Sequence, residues 1–106
     1  MEVREVFAEI KNRVEANPSK VAGLNASYQF DLSGDGGGTF HATFQNGTYD
    51  IGEGAAANPG CTIIMSAADF KAMVSGTLNA TSAFMSGRLK LKGDMGLAMK
   101  LQTVLS

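Results

Sequence analysis

A chain of 106 residues holds the material for one hydrophobic core and not for two, so a single domain over residues 1–106 is expected. Nine basic against ten acidic side chains leave a net charge of −1, which supplies no field for gripping nucleic acid. With 44% hydrophobic and 18% charged residues the chain has enough apolar matter to fold, which excludes wholesale disorder.

The opening MEVREVFAEIKNRVEANP is charged and amphipathic, unlike a secretory signal. Within it Val3, Val6, Phe7, Ile10 and Val14 follow i, i+3, i+4, i+7 spacing until Asn17-Pro18 breaks it, which predicts a first helix with one buried side. Tyr28, Phe30 and Leu32 alternate with Ser27, Gln29 and Asp31 as a half-buried strand, and SGDGGG then turns the chain. Phe40, Ala42 and Phe44 alternate with Thr39, His41 and Thr43 up to Asn46-Gly47, a pair that tolerates the positive φ angles of a two-residue hairpin. Thr48 to Ile51 makes the return strand.

GEGAAANPG is loop material, and Cys61 to Met65 is a short β-branched run that reads as a fourth strand. Ser66 followed by Asp69 has the outline of a capping box, after which Phe70, Met73 and Val74 share a helical face that stops at Gly76. A further short helix is predicted from Asn79 to just before Gly87, burying Phe84 and Met85. Leu89 and Leu91 alternate with Arg88, Lys90 and Lys92 as a fifth strand with a basic outer face. Gly93 turns, Asp94 caps, and a methionine-rich helix runs from about Met95 to Val104. Strands and helices so segregated imply an α+β layer structure, a largely antiparallel five-stranded sheet with helices covering one face.

No reacting constellation emerges, and nothing calls for a cofactor. SGDGGGT lacks the GK[ST] ending of a phosphate loop and lies between two strands. His41, the only histidine, has no second ligand at metal spacing. Cys61 opens a strand, where a thiol packs as a small hydrophobe; as the only cysteine it rules out an internal disulfide and suits a reducing, cytoplasmic setting. The serines at 66, 75, 82 and 86 sit near helix ends without a G-x-S-x-G elbow. Methionines 65, 73, 85, 95 and 99 cluster in the second half, where soft thioethers serve either as core or as the lining of a pocket of changing shape.

Residues 82–102, SAFMSGRLKLKGDMGLAMKLQ, resemble the C-terminal signature of the sterol carrier protein 2 family of lipid-binding modules, which occur alone or fused to peroxisomal lipid-metabolising enzymes. Arg88 stands for that pattern's usual lysine and Asp94 for its usual asparagine; both keep the physical role. The likeness extends upstream through CTIIMSAADFKAMVSGTLNATSAF and, more weakly, through the Asn-Gly hairpin and the first helix. It implies an apolar tunnel between sheet and helices for a fatty acyl chain, acyl-CoA, sterol or phospholipid tail. The lining it implies is Met73, Val74, Phe84, Met85, Leu97, Ala98, Met99 and Leu101, with Phe44, Ile63 and Met65 on the sheet side. Gln102 matches the signature's glutamine, either bonding a ligand's polar end or standing exposed at the helix end. Arg88, Lys90 and Lys92 either meet anionic head groups or blunt an exposed strand edge.

The resulting expectation is a monomeric, non-enzymatic lipid carrier that makes transient contact with a membrane or a lipid enzyme. The alternative is an accessory domain that recruits or presents lipid to a partner enzyme. The ending TVLS carries no peroxisomal S-K-L address, which goes with the cytoplasmic expectation.

Overall fold

The computed structural model describes residues 2–105, with the side chains of residue 20 and residues 102–105 outside that description. Helix α1 (Val3–Ala16) buries the five apolar side chains that its periodicity lines up, and the chain leaves it through a 3-10 turn that starts at Pro18. Strands β1 (Ala26–Ser33) and β2 (Gly38–Gln45) follow, then β3 (Thr48–Glu53), two residues longer than expected because Phe40 still pairs with Glu53. Asn46 (φ 52°) and Gly47 (φ 81°) are both left-handed, as a two-residue hairpin matching the twist of its strands demands.

The chain then crosses to β4 (Cys61–Ser66), which runs parallel to β1, while β1–β2 and β2–β3 are antiparallel. The crossing segment is tied to β1, since the Ala56 amide donates to Gln29 Oε1 (3.2 Å) and Gly60 N–H to the Ser27 carbonyl (2.8 Å). Helix α2 (Ala67–Ser75) starts at Ser66, whose hydroxyl accepts from Asp69 N–H, and ends at a left-handed Gly76. Helix α3 (Ala80–Met85) is capped by the Asn79 side chain, accepting from Thr81 N–H (2.8 Å) and Ser82 N–H (3.2 Å). Strand β5 (Lys90–Gly93) pairs antiparallel with β4, and α4 (Met95–Leu105) closes the chain. The strand order is β3-β2-β1-β4-β5, a mixed and mostly antiparallel sheet.

One face of the sheet carries Tyr28, Phe30, Leu32, Phe40, Ala42, Phe44, Ile51, Cys61, Ile63 and Met65, all buried. The helices lie on this face. At the β2–β1 end the space is filled by rings: Phe7 stacks on Phe40 (centroids 4.6 Å) and Phe70 (5.1 Å) and meets Phe30 edge-on (5.2 Å). At the β4–β5 end, beneath α3 and α4, the filling is aliphatic and incomplete.

The expectation that α3 buries Phe84 and Met85 is corrected. Ala83 is its buried residue, whereas Phe84 is 43% and Met85 80% exposed. A helix of six residues has a single inward position, and the carbonyl of Ala83 also receives the amides of Arg88 (2.9 Å) and Leu89 (3.1 Å), so the small residue is held against the core while its larger neighbours turn outward.

Candidate functional site

The incomplete filling leaves an apolar cavity of about 150 Å³. Its floor is Ile63 of β4 and Leu91 of β5, cross-strand partners whose side chains share the inner face, together with Leu89. Met73 enters from α2, and Ala80, Thr81 and Phe84 from α3. Met95, Ala98, Met99 and Leu101 of α4 form the remaining wall. Phe84, Met95 (49% exposed) and Met99 (71% exposed) stand between cavity and solvent, so the space is a groove with a soft rim rather than the enclosed tunnel that the resemblance implies.

Helix α4 is anchored at its start and loose along its rim. Asp94 Oδ1 accepts from Gly96 N–H (2.8 Å), and Asp94 N–H donates to the Gly60 carbonyl (3.0 Å). Gly93 presses so closely on the Gly60 carbonyl that a Cβ there would collide with backbone, and its φ of 100° excludes side chains in any case. The Tyr28 hydroxyl, rising from the sheet, donates to the Leu97 carbonyl (2.7 Å). Burial pushes the Tyr28 phenol up to about 12, helped by Cys61 and Asp94, so it stays a neutral donor over the ordinary pH range.

Six of the residues implied by the resemblance converge on the groove: Ile63, Met73, Phe84, Ala98, Met99 and Leu101. The others lie elsewhere. Phe44 sits on β2 against Tyr28 (centroids 6.1 Å), and Met65 is core beneath the sheet's centre. Val74 faces α1, with Arg13 Nη1 donating to its carbonyl (3.4 Å). Leu97 packs toward Gly60, and Met85 points to solvent. The Gln102 side chain lies outside the described residues.

Leu89, Leu91, Ala80 and Thr81 join the lining without having been singled out for it, and so does Met95, which the sequence marks only as one of the methionines that serve as core or pocket lining. Two of them had a signal in the sequence: Met95 lies one helical turn from Met99 at i, i+4, and Leu91 shares the parity of Leu89.

The reactive side chains sit apart from the groove. His41 projects from the other face of the sheet, Nδ1 3.1 Å from the Gly54 carbonyl oxygen and Nε2 3.4 Å from Asp50 Oδ2. Cys61 is buried, and that burial, with Asp94 adding, pushes its thiol up and away from the thiolate. Among the described residues no three His, Cys, Asp or Glu side chains converge to hold a metal ion. No helix among them is long and apolar enough to cross a membrane.

Fold and groove together define an α+β domain of the sterol carrier type. The chain belongs to the SCP-2 sterol transfer family, whose sequence model matches residues 7–106. It is 38% identical over 104 residues to hydroxysteroid dehydrogenase-like protein 2 of Xenopus tropicalis, an alignment covering 97% of this chain and 24% of that protein. To human sterol carrier protein 2 it is 36% identical over 103 residues, 93% of this chain and 19% of that one. The chain thus spans about a quarter or less of the length of these relatives. A solution structure of palmitated SCP2L2 from Aedes aegypti superposes with a TM-score of 0.80 at 27% identity, covering 99% of this chain and 95% of that one.

Proposed function

We propose that this domain is a non-enzymatic lipid carrier that holds one apolar tail, from a fatty acid, acyl-CoA, sterol or phospholipid, in the groove between β4–β5 and helices α3 and α4. The observation that carries the reading is the groove itself, lined almost wholly by carbon and sulfur and rimmed by Phe84, Met95 and Met99 on short helices. The family membership and the palmitated relative from Aedes aegypti support it.

The size of the groove sets the mechanism. An apolar cavity of about 150 Å³ is of the size that takes a benzene-like guest, far smaller than a long acyl chain. Uptake therefore requires α3 and the outer side of α4 to move apart from the β4–β5 floor. Helices this short hold position by packing rather than by their own stability, so local opening is cheap. Each methylene that enters recovers about 0.8 kcal/mol, and eight of them about 6 kcal/mol before the cost of ordering the chain. Flexible thioethers re-form contact around the guest in a way that branched side chains do not. Residues proposed to hold the tail are Ile63, Met73, Phe84, Met95, Met99 and Leu101. The buried, reduced thiol of Cys61 goes with a cytoplasmic setting.

The test is displacement of a fluorescent fatty acid by unlabelled lipids, together with native mass spectrometry of freshly purified protein. One equivalent of guest, displaced competitively, is expected; no uptake at any lipid concentration would refute the carrier. A second reading, a domain that presents lipid to a partner enzyme, is favoured by one observation, that the matching relatives are four to five times longer than the chain. Tight binding to an adjacent enzyme domain without lipid uptake is the result that would put it first.

A further inference from the structure

The methionines of the second half differ sharply in their access to solvent. Met65 is buried in the core and Met73 lies half-buried in the groove lining, whereas Met85, Met95 and Met99 are exposed. A thioether has no proton to lose and keeps its sulfur lone pair at every pH, so access largely sets how fast a peroxide reaches it. Cys61, the sulfur of the other type, is buried. Of the exposed three, Met95 and Met99 lie one turn apart on α4 and line the mouth of the groove, while Met85, at the end of α3, does not line it. The same reactive group thus stands at the site and beside it.

We propose that Met95 and Met99 form a reversible oxidation site whose sulfoxides close the groove to apolar tails. The oxidant is a hydroperoxide, of which hydrogen peroxide is the simplest. The sulfur lone pair attacks one peroxide oxygen, an S–O bond forms and the O–O bond breaks. Sulfur gives up two electrons, and the departing hydroxide takes the proton of the transferred oxygen and leaves as water. A methionine sulfoxide reductase reverses the step with a dithiol, which becomes a disulfide as the oxygen leaves as water.

The proposal rests on the carrier reading and deepens it. With a tail in the groove, a sulfoxide oxygen on the rim would be covered by hydrocarbon and left without a donor. Among the lining residues only Thr81, on α3, carries a hydroxyl, and a sulfoxide bonded to it would tie α3 to α4 over the space a tail must enter. Either arrangement opposes uptake. The sulfur atoms that make the rim soft also make it sensitive.

The experiment treats the ligand-free chain with hydrogen peroxide, locates added oxygen by peptide mass spectrometry, and measures uptake of a fluorescent fatty acid before and after. Met85, Met95 and Met99 should oxidise ahead of Met73, with Met65 unmodified. Uptake should fall at least about fivefold, the low end of what burying an unpaired polar group costs, and the helix signal in circular dichroism should not change. Methionine sulfoxide reductases with dithiothreitol should restore uptake. Saturating palmitate should slow oxidation of Met95 and Met99 and leave that of Met85 unchanged.

Met85→Leu should show the same loss as the native chain. With Met95→Leu and Met99→Leu combined, uptake after peroxide should equal that variant's own uptake before it. Unchanged uptake after full oxidation of Met95 and Met99, an equal loss in the doubly substituted chain, a loss that disappears with Met85→Leu, or unfolding by peroxide would each overturn the proposal and leave the carrier reading standing. Absence of uptake before any peroxide is added would refute the carrier reading and the proposal with it.

Discussion

The two ends of the helix-covered sheet face are built from different matter. Beneath α1 and α2, Phe7, Phe30, Phe40 and Phe70 meet at centroid separations of 4.6 to 5.5 Å, a set of rigid rings in stacked and edge contacts. Beneath α3 and α4 the matching space is bounded by Met73, Phe84, Met95 and Met99 and is left partly empty. Helix α1 has fourteen residues and buries five apolar side chains; α3 has six and buries Ala83. Rings that interlock have one good arrangement, while thioethers have many of similar energy. One layer of one sheet thus carries a fixed half that makes the fold and a yielding half suited to admit a guest.

The largest effect that separates the halves is expected at Phe70, fully buried between Phe7 and Phe30. Phe70→Ala should cost about 3–5 kcal/mol of stability by urea or guanidinium unfolding. A loss under about 1 kcal/mol would mean that the ring cluster is no more rigid than the groove.

Met99→Asp probes the other half. Its side chain is 71% exposed, so unfolding should shift within about 0.5 kcal/mol. Fatty-acid uptake should nevertheless fall at least about tenfold, because a guest tail would bury the new charge. Unchanged uptake would remove α4 from the site.

Tyr28 joins the halves through its bond to the Leu97 carbonyl, and Tyr28→Phe should cost about 0.5–1.5 kcal/mol and speed hydrogen exchange in α4. The same phenol makes stability depend on alkaline pH. Its folded value, about 12, lies above the ordinary 10.0, so the folded state keeps a proton that the unfolded chain gives up. The contribution is complete below about pH 10 and is lost as pH rises toward 12, by at most about 1.4 kcal/mol per unit. Tyr28→Phe should flatten that part of the profile, and a profile unchanged by the substitution would show that the phenol is not the group responsible.

Smallest of all is Met85→Ser at an 80% exposed position, which should leave both unfolding and fatty-acid uptake within error. A clear loss of uptake would return Met85 to the lining.

Much of the architecture was legible along the chain. The five inward residues of α1 follow a helical repeat, and β1, β2 and β4 alternate between buried and half-exposed. Asn46-Gly47, Ser66 with Asp69, and Asp94 mark a hairpin and two helix starts through backbone geometry that each residue type imposes locally. The resemblance of residues 82–102 brought the family and its fold within reach.

The site was less legible. Met73 and Val74 lie on one helical face by spacing, yet Met73 meets the groove and Val74 meets α1. In α4 the lining takes Ala98 and Met99, while Leu97 turns to Gly60 and holds Tyr28. Periodicity decides which side of an element is buried, because that depends on neighbours three, four or two positions away. Which element lies against that side follows from the order β3-β2-β1-β4-β5 and from a parallel crossing between strands that are distant in sequence, and only the packed structure decides it. Whether apolar sides close completely is decided there too, since a void results from how shapes meet and not from how hydrophobic each one is.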